Sequence, residues 1–489
     1  MKGPYMLHRI LPPERQTPPS IPIADASFPH PFPQTLEYSP AARGTWNIVH
    51  TGMLVPEAHQ IYICAAGCLR GVILTAAEMG EDYRRRFHTL ELHERDLYAT
   101  DQETFLIEGI TAILRRLDEL PPAVLVFTAC VHHFLGCNLP YVYRTLRDRF
   151  PAVQFAECIM DPIRQTKAMP PETRERLEIY RLLCKPTAHD NAVNMIGSNL
   201  ALDESSDIKQ LLKAAGIPLR DITQCASYND FQQMGKSTVN LYTNPFTKAA
   251  AEDLEKRLGQ PYLYLPQVWT YEELECHLER FIAFFASACH TNSFGVEGRF
   301  PWKFLAPKEV LFPGEMPLHP TSTSHASRAE LLATLELRFN TLKQQLEGRS
   351  IAIDFTFTFL PFSLARLLLS HGLHITEIYA DVIAPDDEPN FRWFQENAPD
   401  VMLFPTKHPA MRTQPRSHRD EKGREPIALG QKATYFTGTH HFVPAIEGGG
   451  HYGFEAIHWL QTELSKAAIL SQDPEPIIKK KAWGAPSCL

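Results

Sequence analysis

The chain has 489 residues, and 48 Lys+Arg against 56 Asp+Glu leave a net charge of −8 with histidine neutral, a length that allows about three domains of roughly 150 residues each. With 44% hydrophobic and 21% charged residues the composition is that of a soluble globular protein, and the acidic balance gives no footprint for nucleic acid. The best membrane candidate, Ala352 to Leu369, carries Asp354 and Arg366, and the N-terminus lacks the order of a signal peptide, so no membrane association and a cytoplasmic location are expected.

Residues 1–43 form a proline-rich arm, with ten of the 40 prolines before position 41. Such density removes backbone donors too often for a helix or a central strand, so the arm is expected either to wrap a partner subunit or to stay disordered. Residues 44–190 read as a first α/β domain. Thr100 and Glu103 have capping-box spacing, and Leu106, Ile107, Ile110, Ile113, Leu114 and Leu117 share one helix face up to Pro121-Pro122. The apolar run Ala123 to Ala129 has the length and pattern of a parallel strand buried on both faces, with Cys130 at its carboxyl end. A helix over Tyr141 to Arg149 and a strand over Val153 to Ala156 follow, which sets Cys158 just beyond a strand.

The second α/β domain, residues 191–300, predicts strands at Val193 to Gly197, Val239 to Tyr242 and Tyr262 to Leu265. Its helices are expected at Ser206 to Ala215, Phe246 to Leu258, and from Thr270-x-x-Glu273 to about Cys289. Residues 301–327 are proline-rich and aperiodic, a linker. The third domain, 328–470, predicts strands at Ser350 to Phe355, Ile375 to Ala380 and Val401 to Phe404 with helices between them, and 471–489 is a C-terminal tail. Three doubly wound Rossmann-like domains with parallel sheets is the economical architecture, and open parallel sheets bind ligands beyond the carboxyl ends of their strands.

Six of the ten cysteines lie between Cys64 and Cys184, too sparse for a disulfide framework and, in a reducing compartment, available as thiols, ligands or nucleophiles. In Cys64-Ala-Ala-Gly-Cys68-Leu-Arg-Gly71, small residues let the backbone approach something bulky while thiolates stand where they would ligate iron; the alternative is a pair of buried structural thiols. Cys130-Val-His132-His133-Phe-Leu-Gly-Cys137 offers four soft or borderline ligands, without the paired spacing of a zinc ribbon, so a zinc site and plain structural histidines both stay open. Met234-Gly-Lys-Ser-Thr238 imitates a phosphate loop but has Asp230 where glycine is required and precedes a strand, which excludes ATP binding there. Gly448-Gly449-Gly450-His451 follows the pair His440-His441; three glycines imply either a flexible crossing between domains or close approach to a ligand. Arg412 to Arg424 reads as a solvated basic loop.

The order of these segments resembles the nitrogenase component 1 superfamily over about residues 44 to 465. The resemblance is carried by Ala65-Ala-Gly-Cys68, Leu92 to Leu97 with the helix after it, Val124 to Cys130, Asn194 to Asn199, Asn240 to Pro245, Ala433 to Gly438 and Gly449 to Phe454. It implies an oxidoreductase with an iron-sulfur cluster, [4Fe-4S] or a larger P-cluster-like group, ligated by Cys68 and Cys130; Cys64 and Cys137, extra thiols near the same crevice, are the next candidates and Cys158 a weaker one. It also implies a homologous component 1 subunit or a second copy as partner, in a dimer or heterotetramer, and electrons from a separate ATP-dependent iron-protein reductase. Two departures stand out. The first cluster cysteine of the family is absent near residues 39 to 45, and the cysteine that anchors the iron-molybdenum cofactor falls near Thr243. Weaker ligand candidates are His132, His133, His440, His441 and His451. A cofactor assembly scaffold and a zinc-dependent α/β enzyme using Cys130, His132, His133 and Cys137 are the alternative functions.

Overall fold

The computed structural model describes residues 19–33, 37, 38, 40, 47–99, 101–160, 169–288 and 328–478. Thr100, Cys289, Cys488, the stretch 301–327 and most of the stretch 39–45 lie outside them. Among the described residues fourteen strands form three sheets, and every pairing but one is parallel.

The first sheet contains β2 (His59–Cys64), β3 (Phe87–Glu91), β4 (Ala123–Ala129) and β5 (Gln154–Met160) in the order β3-β2-β4-β5. All seven residues of β4 are buried, as an apolar run between two helical layers must be, each larger apolar side chain contributing about 1.5–3 kcal/mol. The helix Gln102–Leu114 covers one face through Leu106, Ile107, Ile110 and Leu114. Its N-cap is Asp101, whose carboxylate accepts from the Thr104 N–H at 2.7 Å. Glu103 turns instead to the Asn138 N–H at 2.5 Å, so the expected reciprocal cap is replaced by a bond to the next helix.

The second sheet repeats this order with β6 (Val193–Met195), β7 (Leu219–Asp221), β8 (Val239–Tyr242) and β9 (Tyr262–Tyr264), arranged β7-β6-β8-β9. The expected capping box at Thr270 and Glu273 is present: each side chain bonds the other's backbone N–H, at 3.4 and 3.3 Å. In both four-stranded sheets the chain steps outward from its first strand and then returns to the other side. The pairs β2/β4 and β6/β8 are therefore switch points, where the loops part and leave a crevice.

The third sheet has β10 (Ser350–Asp354), β11 (His374–Tyr379), β12 (Met402–Phe404), β13 (Ile427–Leu429) and β14 (Phe442–Val443), ordered β12-β11-β10-β13-β14. Its outer edge is closed by the arm: β1 (Ile21–Pro22) pairs antiparallel with β12, and Ile23 is fully buried. This corrects both expectations for that part of the arm, since the chain covers its own sheet edge. Among the described residues no helix is long and apolar enough to cross a membrane.

Candidate functional site

Of the thiols expected at the first sheet, Cys64, Cys68 and Cys130 lie near one another at its switch point. β2 ends at Cys64, Ala65 caps the helix Ala66–Glu78, and Cys68 occupies its first turn with its N–H bonded to the Ala65 carbonyl at 2.9 Å. Leu69 is buried and anchors that helix, while Cys68 faces solvent. β4 ends one residue before Cys130, which opens the helix Cys130–Phe134. Burial pushes the Cys64 thiol up to about 12, helped by its hydrogen bond with the Cys68 thiol and by the proximity of Cys68 and Cys130. The groups acting on Cys64 are thiols and backbone, without a cation, so paired thiolates there are costly until a soft metal supplies the positive charge. A Cβ on Gly67 or Gly71 would meet nothing within 4 Å, so the helix leaves open space beside Cys68. Behind the thiols the stacked rings of Tyr62 and Phe127, 4.2 Å apart, form an apolar wall. Donor chemistry and open space at Cys64, Cys68 and Cys130 suit an iron-sulfur group, but the spacing of the described side chains is not that of a preformed site. Among the described residues no three His, Cys, Asp or Glu side chains stand at metal-binding spacing, so the chain alone offers an open edge and not a closed cage.

The other candidates stand elsewhere. Cys137 is half-buried beside Glu103, and burial together with that carboxylate pushes its thiol up to about 12. Cys158 lies inside β5 and not beyond it, because the strand runs on through Glu157 to Met160; it is fully buried, and burial with Glu175 and Glu178 raises its thiol. His132 is buried with Nδ1 against the Ala129 backbone at 3.2 Å, whereas His133 is exposed. His440 pairs with Glu425 at 3.1 Å and the Nδ1 of His441 donates to the Ala467 carbonyl at 2.7 Å. A zinc quartet of Cys130, His132, His133 and Cys137 does not converge.

A second site opens at the switch point of the second sheet. It is a crevice of about 40 Å3 lined by Ser198, Asn199, Thr243, Phe359, Glu447 and His451, among others. Here Thr243, near which the family's cofactor-anchoring cysteine falls, and His451, one of the candidate histidines, line the same crevice. Thr243 brings no thiol, so the donor set does not reproduce the cysteine that anchors that cofactor. The His451 ring stacks on Trp459 at 4.4 Å and its Nδ1 is 2.9 Å from the Glu455 carboxylate. Three participants escaped the sequence reading. Arg176 Nη2 donates to Asn199 Oδ1 at 2.9 Å, and Asn199 Nδ2 donates to Glu447 Oε1 at 2.8 Å. The only available signal was a glutamate set before three glycines. A larger groove of about 510 Å3 runs along β5 past Arg147, Phe155, Glu157, Glu178 and Arg181, but it holds no thiol and its charges neutralise one another in pairs.

The sequence of residues 50–414 matches the family model of nitrogenase component 1 type oxidoreductases. Among solved structures the fold is similar to nitrogenase Cp1 at pH 6.5, with a TM-score of 0.61 and 13% identity over 90% of this chain and 94% of that one. It is also similar to nitrogenase Cp1 at pH 5, with a TM-score of 0.54 and 14% identity over 90% of each chain. No curated protein sequence matches the chain. With a family match over most of its length and a fold of the same kind, the chain belongs to the nitrogenase component 1 type oxidoreductases.

Proposed function

We propose that the chain is a subunit of a cytoplasmic nitrogenase-like oxidoreductase that holds an iron-sulfur cluster at the β2/β4 switch point. The observation that supports this reading is that the buried Cys64 thiol bonds the exposed Cys68 thiol and lies near enough to Cys130 to feel its charge, although Cys64 and Cys130 are 66 positions apart in sequence. The bound group supplies low-potential electron transfer. Cys64, Cys68 and Cys130 would hold it, and the stacked Tyr62 and Phe127 rings, in the same buried cluster as Cys64, would help to keep water away. The open outer side, where Gly67 presents no side chain, is where a homologous subunit or a second copy completes the ligand set. Electrons then come from a separate ATP-hydrolysing iron protein, in keeping with the lack of a phosphate loop in this sequence.

The test is a comparison of thiol variants purified without oxygen. Cys68→Ala and Cys130→Ala are expected to lose most of the iron and acid-labile sulfide, whereas Cys158→Ala and Cys137→Ala retain them. Equal iron in all four variants would overturn the assignment.

A further inference from the structure

The basic stretch Arg412 to Arg424 divides in two. Three of its five lysines and arginines are engaged: Arg419 pairs with Glu425 at 3.0 Å, Arg424 with Asp420 at 2.8 Å, and Lys422 Nζ donates to the Glu347 carbonyl at 3.2 Å. Arg412 and Arg416 are exposed and form no ion pair among the described residues. These two stand together around Tyr38 of the arm. The Arg416 guanidinium lies over the Tyr435 ring, 4.5 Å from its centre, and the Tyr38 and Tyr435 hydroxyls are 3.3 Å apart. Burial and the Tyr435 bond raise the Tyr38 phenol, while Arg416 and Arg412 draw it the other way, so both cations are close to that oxygen and no carboxylate is among its principal influences. The arm brings none to spare: from Gln34 to Trp46 the sequence holds one carboxylate, Glu37, and it pairs with Lys407 at 3.5 Å.

The backbone holds this cluster in place. The Tyr38 N–H donates to the Lys407 carbonyl at 2.6 Å, and the His418 N–H donates to the Thr437 carbonyl at 3.1 Å. Gly438, at φ 67°, packs so closely on the Arg416 carbonyl that a Cβ there would strike it, a conformation and an approach that glycine takes without strain. Every group around the Tyr38 oxygen is a donor. Each guanidinium carries five N–H groups and no acceptor, and two phenols bonded to each other use one hydrogen between them and keep the second free. Two cations gathered without an anion repel each other, and an oxyanion between them removes that cost while accepting their hydrogen bonds.

We propose that Arg412 and Arg416, with the paired hydroxyls of Tyr38 and Tyr435, form a binding site for a phosphoryl group, either free phosphate or the terminal group of a phosphomonoester. A tetrahedral oxyanion offers oxygens to both guanidinium forks at once, where a single carboxylate fills only one. The site uses neither the thiols of the first sheet nor the crevice of the second, and it does not rest on the iron-sulfur reading.

The test is calorimetric titration of the full-length chain with inorganic phosphate at low ionic strength, where attraction between exposed charges is least screened. Wild type is expected to bind one phosphate per chain. Arg412→Gln and Arg416→Gln are each expected to bind it about tenfold more weakly, and Tyr38→Phe about threefold, in line with the loss of a charged and a neutral donor. Arg419→Gln removes the same charge from the same loop, but from a guanidinium already paired, and is expected to bind as wild type does. A Tm unchanged in phosphate-free buffer shows that each variant is folded. Adenosine monophosphate is titrated in parallel: tighter binding than phosphate assigns the site to a phosphomonoester, and equal or weaker binding assigns it to free phosphate. No saturable binding of either ligand, or wild-type affinity in both Arg412→Gln and Arg416→Gln, would overturn the proposal. So would equal weakening in Arg419→Gln, which would reduce the site to general surface charge. Iron and sulfide measured on the same preparations report the cluster reading separately.

Discussion

Cys64 and Cys68 lie four positions apart and in opposite environments. Cys64 is buried with its thiol pushed up to about 12, and Cys68 is exposed. In metal-free chain at neutral pH, iodoacetamide should modify Cys68 readily and Cys64 roughly a thousandfold more slowly than an ordinary thiol, since each unit of pKa removes a factor of ten in thiolate. Peptide mapping that finds both alkylated at similar rates would contradict the arrangement. A second pair titrates. The Nδ1 of His59 lies 2.8 Å from the Nε2 of His88 with the rings stacked, and burial, His88 and Arg86 push His59 down to about 4, while burial lowers His88. Both rings are held neutral in the fold and protonate more readily once unfolded, so their contribution to stability is present above about pH 6.5 and is lost as pH falls toward 4. His59→Asn should therefore show a smaller drop in urea midpoint between pH 7 and 5 than wild type. That Cys130 stands just past a buried strand was legible in sequence, because it ends an apolar run. Cys158 was misplaced, because Glu157 reads as the end of a strand. In the structure it is the polar step of an edge strand, held by Arg147 at 2.9 Å.

Among elements, the helix Pro171–Arg181 departs furthest from its appearance. The sequence Pro-Glu-Thr-Arg-Glu-Arg reads as a solvated surface, yet Glu175, Arg176 and Glu178 are buried. Periodicity of apolar residues cannot reveal a helix that buries charged residues beside apolar ones, as Arg176 does in donating to the Gly197 carbonyl and to Asn199, and Glu178 in pairing with Arg174 and Arg181. The glycine loop is the opposite case: the spacing pointed to a special backbone without deciding between a flexible crossing and close approach. The structure shows a loop wedged between segments, since a Cβ on Gly450 would strike the Ala201 carbonyl, whereas one on Gly449 would meet the Trp459 and His451 side chains at 3.4 Å or more. Gly450→Ala should cost more than about 2 kcal/mol, combining left-handed strain with a backbone clash, while Gly449→Ala should cost about 1 kcal/mol for its conformation alone. Denaturant unfolding of the two variants checks this, and equal costs would mean that the loop is free to move.

At the scale of the molecule, the repeated strand order sets two switch points, and the chemistry divides between them. The first gathers thiols at an open edge, and the second gathers a carboxyl, an imidazole and amides in a small crevice. Alternation of strands and helices made the parallel α/β class legible, but the use of the arm was not. Its two paired residues and the burial of Ile23 depend on β12 lying at an edge, which is a property of sheet order and not of local sequence. Deleting residues 1–26 should lower Tm by several degrees, since the burial of Ile23 alone contributes about 2 kcal/mol. The uncovered edge should also promote association that rises with concentration. An unchanged Tm in differential scanning calorimetry would show that the arm is not part of the folded unit.

The central claim is that the β2/β4 edge holds an iron-sulfur group, and it is tested most directly by iron, zinc and acid-labile sulfide per chain, with EPR, on anaerobically purified wild type. Iron and sulfide in near-equal amounts, with a paramagnetic signal on reduction or oxidation, is the result predicted. Zinc without sulfide, or no metal at all, would contradict it and leave the family fold without its redox chemistry.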